Sequence, residues 1–317
     1  MNDSRDISPA AGTQSGPPSS KRPALPFIKA HGTRNDFVVL VDPEAELECP
    51  PQLVRAMCDR RAGVGADGLI RVARAGALER AGVLWQRPTG CGEATWFMDY
   101  RNADGSVAQM CGNGVRVFAH VLVAEGLLPA AEGVEPFSVG TRAGAKRVVL
   151  HRADARDAVV SVDMGAPRLL GPATARWNGQ QLRGLGVDMG NPHLAVVLED
   201  HDAHSLAQLP VPLPVAGDPE VFPEGLNLEL LTPLADGRVH MRVHERGVGE
   251  TESCGTGTVA AAVAALADRG RRVGNVAVCV PGGEVQVSVT EDGSTLTGPS
   301  QIVFRGSFPL LDANSVT

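Results

Sequence analysis

Two apolar runs stand out in the pattern of hydrophobic and polar positions along this chain. The first covers residues 115–124 and the second covers 259–267, and neither has a continuous polar face. A helix that is apolar all round is buried on every side. The pattern therefore predicts two central, buried helices with shorter elements packed around them.

Shorter segments around these runs predict β-strands. Their apolar or alternating residues are bounded by turn-forming residues, and they cover 38–41, 96–100, 135–139, 147–151, 158–163, 194–198, 239–244 and several stretches of 275–305. Residues 53–61 have the spacing of an amphipathic helix, whereas residues 1–24 are polar, lack periodicity and predict a disordered tail. Short strands around two buried helices indicate an α+β fold of two β-rolls.

The same four-residue motif precedes each apolar run. It reads Cys-Gly-Asn-Gly at 111–114 and Cys-Gly-Thr-Gly at 254–257. A helix N-terminus presents unpaired N–H groups and the positive end of the helix dipole, and glycines let a carboxylate approach that backbone closely. A cysteine placed there is expected to have a pKa below the free value of about 8.5.

Two such helix ends facing each other would hold one carboxylate between two thiols. That arrangement can remove a proton from one face of an α-carbon and add a proton to the other face. A single Cys-Gly pair would favour a structural interpretation, because free cysteines are commonly buried. The repetition of the whole motif favours a catalytic one.

Composition narrows the possible functions. The 317 residues are 43% hydrophobic and 21% charged, which is typical of a globular protein. A net charge of −7 and an aromatic content of 4% argue against nucleic-acid binding. No apolar run approaches the roughly 20 residues of a membrane span, and no signal sequence is evident. Six cysteines without Cys-X-X-Cys pairs predict free thiols in a reducing cytoplasm.

Two further motifs fail on their context. Residues 63–68 read Gly-Val-Gly-Ala-Asp-Gly, but a helix precedes them where the dinucleotide fingerprint requires a strand, so they indicate a tight turn. His240 and His244 would share one face of a helix, but the alternation around them predicts a strand, on which they would be about 13 Å apart. Neither motif predicts a nucleotide or metal site.

Several separated signatures resemble those of the diaminopimelate epimerases, which act without pyridoxal phosphate. They cover 29–37, 65–68, 102–116, 189–193 and 245–257. The resemblance implies two pseudo-symmetric α/β-roll domains, 25–155 plus 299–317 and 156–298, with the active site in the cleft between them. It also implies that a cytoplasmic homodimer converts LL-2,6-diaminopimelate to the meso isomer, without a cofactor or metal, in lysine and peptidoglycan precursor synthesis.

The resemblance assigns roles to individual residues. The catalytic thiols fall on Cys111 and Cys254, with Cys254 as the base and Cys111 as the acid in the LL-to-meso direction. His193 and Glu245 match the positions that assist proton movement at the two thiols. The matched carboxylate cradle consists of main-chain N–H groups of Gly112, Asn113, Gly255 and Thr256. The remaining substrate contacts match Asn35, Gly68, Asn102, Asn191, Asn227, Glu245 and Arg246.

Several positions carry further expectations from the resemblance. The Arg246 guanidinium suits a distal carboxylate because it can bind both oxygens at once. Gly68 stands where the family has Gln or Gly, and only its main chain can contact a ligand. Phe304 matches a tyrosine of the family's dimer contact and lacks the hydroxyl. Val117 and the pair at 259–260 replace small or cysteine residues after each motif.

Three alternatives share part of this pattern. Proline or hydroxyproline racemases and the related dehydratases have paired cysteines, but their first motif is typically Cys-Gly-His-Gly, and they need no cation for a second carboxylate. Isomerase-like proteins of the phenazine type lack the first cysteine. A non-catalytic module that binds an amino acid would need the glycines but not both thiols.

Overall fold

The computed structural model describes residues 24–129 and 135–310. Five helices form in this part of the chain: α1 (Pro51–Cys58), α2 (Ala75–Arg80), α3 (Gly112–Ala124), α4 (Ala203–Ala207) and α5 (Gly255–Asp268). The two apolar runs lie in α3 and α5, which are buried over most of their length. This confirms the two central helices predicted from the pattern. The predicted tail lies outside the described residues except for Ala24.

Seventeen strands form within the same described residues. The first seven are β1 (Ala24–Gly32), β2 (Asn35–Val41), β3 (Gly68–Arg74), β4 (Trp96–Asn102), β5 (Phe137–Thr141), β6 (Gly144–Ala153) and β7 (Asp157–Gly165). The others are β8 (Arg168–Trp177), β9 (Gln180–Asp188), β10 (Pro192–Val197), β11 (Val215–Gly217), β12 (Asn227–Leu231), β13 (Arg238–Glu245), β14 (Gly249–Thr251), β15 (Gly274–Val280), β16 (Gly283–Val289) and β17 (Ser294–Pro309). The predicted strands all overlap these elements, whereas β1, β3, β8, β9, β11, β12 and β14 have no counterpart in the prediction.

The first roll is a ring of strands that closes around α3. The ladder runs from β1 through β2, β3, β4, β5, β6 and β7 to β17, and β17 pairs back with β1. Helix α3 packs against β1, β2, β3, β4, β6, β7 and β17. Because nearly every direction from its axis meets a strand, the helix needs an apolar surface all round.

The second roll wraps α5 in a similar way. Its ladder runs through β8, β9, β10, β12, β13, β15, β16 and β17, with parallel pairs at β10–β12 and β13–β15. Helix α5 contacts β9, β10, β12, β13, β15, β16 and β17. The fold class expected from the sequence, α+β with two rolls that each enclose a helix, is confirmed.

The long strand β17 connects the two rolls. Residues 294–297 pair with β16 of the second roll, and residues 301–309 pair with β1 of the first roll. Strand β7 runs beside residues 294–301. The domain boundaries expected at 155/156 and 298/299 stay a prediction, and residues 311–317 lie outside the described part of the chain.

The two motifs rejected on context form a turn and a strand. Residues 63–68 lead from α1 into β3, and Gly65 has a φ of 77°, which favours glycine. His240 and His244 lie on β13. Across 24–129 and 135–310, no three or more His, Cys, Asp or Glu side chains are grouped to hold a metal ion. None of the helices in these two ranges has the length and apolar character that crossing a membrane requires.

Candidate active site

The two cysteine motifs form equivalent helix N-termini. Cys111 is the N-cap of α3, and its Sγ accepts a hydrogen bond from the N–H of Gly114 at 3.4 Å. Cys254 is the N-cap of α5, and its Sγ accepts from the N–H of Gly257 at 3.4 Å. Each thiol therefore occupies the place of a capping side chain and lies next to the unpaired N–H groups of the first helical turn.

The two helix ends face each other at close range. A Cβ atom built on Gly255 would lie 3.2 Å from Cα of Gly112 and 3.4 Å from the main-chain nitrogen of Asn113. Any side chain at residue 255 would therefore crowd the backbone of the opposite motif. The glycines bring the first turns of α3 and α5 together, as the carboxylate cradle predicted from the sequence requires.

A buried polar network joins the two motifs. The amide Nδ2 of Asn113 donates to the carbonyl oxygen and to Oγ of Ser253, both at 3.2 Å. The Oγ atoms of Ser253 and Thr33 are 2.7 Å apart, and Arg116 donates to Oγ1 of Thr33 at 3.1 Å. Ser253, Thr33 and Arg116 are each at most 2% exposed. The sequence signatures include these three residues, but their role as a connection appears only in the structure.

Asn35 lies directly against the first thiol. Its Oδ1 accepts from Sγ of Cys111 at 3.5 Å and from Nδ2 of Asn113 at 3.2 Å. Its Nδ2 donates to Oδ2 of Asp67 at 2.8 Å. The Asp67 carboxylate fixes which end of the Asn35 amide faces the thiol, because a carboxylate only accepts. Asp67 is a site residue that the sequence interpretation did not assign.

His193 is fully buried between a carboxylate and an amide. Its Nδ1 is 2.6 Å from Oε1 of Glu229, and its Nε2 is 3.1 Å from Oδ1 of Asn191. Both Glu229 and His193 are 0% exposed. Burial raises the pKa of Glu229 above its ordinary value, while the charge and the hydrogen bond of His193 act in the opposite direction. The sequence interpretation missed Glu229, although its signal is visible as a single charge in the apolar strand β12.

Glu245 lies where it influences both thiols. Burial raises its pKa, and Oγ1 of Thr251 donates to its Oε1. The negative charge of Glu245 contributes to raising the pKa of Cys111 and of Cys254. The structure therefore brings the four predicted catalytic residues into one electrostatic environment, since Glu245 also responds to the charge of His193.

Asn227 fixes the backbone next to Glu245. Its Oδ1 accepts from the N–H of Arg246 at 2.9 Å, and its Nδ2 donates to the carbonyl oxygen of Pro192 at 3.1 Å. The Arg246 guanidinium is 40% exposed and contacts the carbonyl oxygen of Glu224 at 3.0 Å. Its Nη1 also lies 3.7 Å from the exposed carboxylate of Glu224, and its exposure at the surface leaves the guanidinium accessible to an anion.

Gly68 and Asn102 are neighbours on adjacent strands. A Cβ atom on Gly68 would lie 2.5 Å from the carbonyl oxygen of Arg101 and 2.6 Å from the ring of Tyr100, so only glycine fits there. Nδ2 of Asn102 donates to Oγ of Ser106 at 2.9 Å. Phe304, by contrast, lies on an exposed part of β17 and packs edge-on against Phe27 with 5.8 Å between ring centroids.

The pKa expected for the two thiols from their helix positions is wrong. Burial raises the pKa of Cys111 to about 11 and raises that of Cys254 well above its ordinary value. Hydrogen bonds from the N–H groups of Gly114 and Gly257 lower the two pKa values, but the loss of hydration outweighs them. In this arrangement both thiols hold their protons at neutral pH.

The surroundings of the two thiols differ in charge. Beside Cys111, the guanidinium of Arg116 lowers the thiol pKa, although the effect is smaller than that of burial. Beside Cys254, the carboxylates of Glu245 and Glu229 both raise the pKa further. The two halves thus share their backbone geometry and differ in the buried charges that face each thiol.

Known proteins share the fold of this chain, as comparison with solved structures shows. A hydroxyproline epimerase from Agrobacterium vitis superposes with a TM-score of 0.61 at 15% identity, covering 93% of this chain and 94% of that chain. A phenazine biosynthesis protein of the PhzF family from Bacillus anthracis superposes with a TM-score of 0.60 at 15% identity, covering 92% and 100%. At this identity the likeness concerns the fold alone.

Sequence relatives are much more similar. The diaminopimelate epimerase of Corynebacterium aurimucosum is 56% identical over 286 residues, covering 90% of this chain and 100% of the relative. That of Mycolicibacterium smegmatis is 56% identical over 283 residues, covering 88% and 95%. The family model described as diaminopimelate epimerase matches residues 27–170 and 186–303.

Two β-rolls that each enclose a helix place this chain in the fold class that includes the hydroxyproline epimerase and the phenazine biosynthesis protein. Within that class, the family match and the identities with its members are decisive. This chain belongs to the diaminopimelate epimerase family. The resemblance inferred from the separated sequence signatures is confirmed.

Proposed function

We propose that this chain epimerises LL-2,6-diaminopimelate to meso-diaminopimelate by proton transfer between Cys111 and Cys254, in lysine and peptidoglycan precursor synthesis. One observation carries the proposal. Two N-cap thiols stand at helix ends whose backbones approach so closely that a Cβ on Gly255 would lie 3.2 Å from Gly112. A carboxylate held by both first turns has a thiol on each side of its α-carbon.

The reaction conserves protons. In the LL-to-meso direction, the Cys254 thiolate takes the α-proton and becomes a thiol, while the electron pair of the broken C–H bond is delocalised into the carboxylate. The N–H groups of Gly112, Asn113, Gly255 and Thr256 stabilise the developing charge. The Cys111 thiol then donates its proton to the opposite face and becomes a thiolate, and exchange with solvent restores the starting protonation state.

Burial has opposite effects on the two halves of this cycle. It makes the thiolate scarce at neutral pH, because the raised pKa keeps the proton on sulfur. It also makes a thiolate, once formed, a stronger base toward a weakly acidic C–H bond. His193 and Glu245 assist proton movement to and from the thiols; His193 is fully buried and Glu245 is partly buried.

The second amino-acid end of the substrate needs its own recognition. Arg246 is proposed to bind the distal carboxylate, because its guanidinium is accessible while its backbone N–H is held by Asn227. Asn35, Gly68, Asn102 and Asn191 complete the substrate contacts. Diaminopimelate has two carboxylates and proline has one. A cation placed to bind a second carboxylate therefore favours diaminopimelate as the substrate.

The setting of the enzyme is part of the proposal. It includes a cytoplasmic homodimer without nucleic-acid or membrane partners, and the net charge of −7 supports the absence of nucleic acid. The exposed side chains of Val303 and Phe304 on β17, at 54% and 47% exposure, are suited to the contact between subunits. The two domains would be 25–155 plus 299–317 and 156–298, with the substrate cleft between them.

In the direct test, purified protein is incubated with LL-diaminopimelate, and the isomers are then separated by chiral chromatography. Formation of the meso isomer without added pyridoxal phosphate or metal supports the proposal. L-Proline and trans-4-hydroxy-L-proline serve as competing substrates. Turnover of either at the rate of diaminopimelate would favour the racemase alternative, and binding of diaminopimelate without turnover would favour the non-catalytic one.

A further inference from the structure

Glu229 is a buried carboxylate to which the sequence signatures assign no role. Strand β12 reads Asn-Leu-Glu-Leu-Leu at 227–231, and all five residues are buried. A carboxylate in an apolar strand is costly unless a partner compensates for its lost hydration. Its partner is His193, whose Nδ1 lies 2.6 Å from Oε1 of Glu229. The other oxygen, Oε2, has no hydrogen-bond partner among the described residues.

The strand register brings the two side chains to one face of the sheet. Strands β10 and β12 run parallel, with His193 beside Asn227 and Ala195 beside Glu229. Side chains two residues apart along a strand share a face, so His193 and Glu229 are diagonal neighbours. Helix α5 packs against both strands. The pairing of β10 with β12 therefore determines the contact between His193 and Glu229.

Glu229 also reaches the helix end that carries Cys254. A Cβ atom built on Gly257 would lie 2.6 Å from Oε1 of Glu229 and 3.3 Å from Sγ of Cys254. Glycine at this position of α5 thus leaves room for the carboxylate next to the thiol. The side chain that holds His193 is inserted between the histidine and the second cysteine motif.

The hydrogen bonds determine the tautomer of His193. The Oδ1 atom of Asn191 can only accept, so the Nε2 atom of His193, 3.1 Å away, carries a hydrogen. The Nδ1 atom then shares one further proton with Glu229, either as Nδ1–H to a carboxylate or as a bare nitrogen facing a carboxylic acid. The pair is neutral overall in both forms, which explains how it is tolerated without solvent.

We propose that Glu229 is a positioning residue of this site: it shares a proton with Nδ1 of His193 and so holds the imidazole with its Nε2–H toward Asn191. The part played by His193 in turnover rests on the proposed function, whereas the tautomer and the orientation rest on the contacts alone. Without Glu229, Nδ1 is buried without a partner, and the ring is free to rotate or to change tautomer.

Three substitutions separate the possible roles of the carboxylate. Glu229→Leu replaces the carboxylate with an apolar side chain of similar size and so removes the hydrogen bond to His193. Glu229→Gln keeps a donor for a bare Nδ1 and removes the shared proton. Glu220→Gln, in an exposed turn, is the control. In metal sites, losing a residue that orients a ligand histidine costs about 10–100-fold in affinity or activity, and we take the same order here. We expect a fall in kcat of that order for Glu229→Leu with KM little changed, a smaller fall for Glu229→Gln and none for the control.

A double-mutant cycle asks whether Glu229 acts through His193. If it does, Glu229→Leu should cost little in a His193→Gln background, because the oriented group is already gone. Equal losses in both backgrounds would mean that Glu229 acts independently of His193, and would overturn the proposal. Full activity of Glu229→Leu in the wild-type background would do the same. Thermal melting of each variant identifies any loss that comes from unfolding.

Nuclear magnetic resonance of ¹⁵N-histidine-labelled protein tests the tautomer without turnover. We expect a protonated Nε2 in His193 and a proton at Nδ1 shifted downfield by its short hydrogen bond to Glu229. That downfield signal should vanish in Glu229→Leu and remain in Glu220→Gln. A bare Nε2 in the wild type, or an unchanged spectrum in Glu229→Leu, would refute the positioning role. Failure of the wild type to epimerise diaminopimelate would instead count against the proposed function.

Discussion

The side-chain amide of Asn113 donates to the main-chain carbonyl oxygen of Ser253 at 3.2 Å. The first residue belongs to the motif of Cys111 and the second immediately precedes Cys254, so one hydrogen bond ties the two cysteine motifs together. The Oγ atom of Ser253 adds contacts to Nδ2 of Asn113 at 3.2 Å and to Oγ1 of Thr33 at 2.7 Å. The spacing of the thiols is therefore held by buried polar contacts as well as by packing.

Removing the Ser253 hydroxyl should loosen this connection. Ser253→Ala leaves the hydroxyl of Thr33 without this buried partner, and a lost buried hydrogen bond costs about 1 kcal/mol of stability. We expect the midpoint of urea unfolding to fall and kcat/KM to fall with it, while Ser307→Ala, at an exposed serine of β17, changes neither. Unaltered stability and turnover in Ser253→Ala would contradict a structural role for this network.

The two N-cap thiols should be the ones that turnover requires. Cys111→Ala and Cys254→Ala are each expected to abolish epimerisation with the fold intact, because one face of the α-carbon then lacks its proton carrier. Activity is measured as meso product, and folding by circular dichroism. The other four cysteines (Cys49, Cys58, Cys91 and Cys279) should tolerate Ala with activity retained. Near-normal turnover in either N-cap variant would end the two-cysteine mechanism.

Thiol reactivity should reveal whether burial or the helix N-terminus dominates the pKa. Only the thiolate is nucleophilic, and burial raises the pKa of Cys111 to about 11. Alkylation of Cys111 by iodoacetamide should therefore rise about tenfold per pH unit from pH 7 through pH 9.5 without a plateau, because a raised pKa moves thiolate formation to higher pH. Peptide mass spectrometry follows the rate, with glutathione as the reference thiol. A plateau below pH 8.5 would restore the expectation from the helix dipole.

Arg246 should resist conservative replacement. In Arg246→Lys the positive charge remains, but a single ammonium cannot reproduce the two parallel hydrogen bonds of a guanidinium to a carboxylate. Loss of one hydrogen bond to a charged group costs about 1.5–3 kcal/mol. We expect kcat/KM for LL-diaminopimelate to fall accordingly. Arg271→Lys, at an exposed arginine after α5, is the matched control. Equal kinetics in the two variants would exclude Arg246 from substrate recognition.

Turnover in deuterated water should distinguish one base from two. With a base on each face, the proton added to the product comes from a thiol that has exchanged with solvent. The meso product should therefore carry deuterium from the first turnover, while the remaining LL isomer stays largely protiated at early times. Mass spectra of the separated isomers decide between the mechanisms. Protium-rich product at early times would mean that the substrate's own proton is returned by a single base.

Much of the architecture follows from local pattern. The runs at 115–124 and 259–267 predict buried helices because they lack a polar face, and α3 and α5 are indeed enclosed by strands. The repeated cysteine motif predicts two equivalent helix N-termini, and the N-cap contacts of both thiols confirm that local geometry. These features can be predicted from the sequence because residues close together in the chain determine them.

Strands β8 and β9 are different. Their residues include Gly171, Pro172, Gly184 and Gly186, and seven of the ten positions in β8 are partly or fully exposed, so no apolar run marks these strands and alternation is confined to a short part of β8. They exist because their backbones pair with each other over most of their length. Such pairing depends on a partner strand that local pattern does not specify.

The sequence by itself determined the two buried helices, the N-cap cysteines and the family to which the chain belongs. Only the tertiary structure decided the charge around each thiol and the partner of His193. Position at a helix N-terminus favours a low thiol pKa, yet burial of Cys111 and Cys254 outweighs it. Glu229 meets His193, 36 residues away in the sequence, because strands β10 and β12 pair in one register. Hydration and electrostatic interaction depend on every group near a site, and those groups are assembled only when the chain folds.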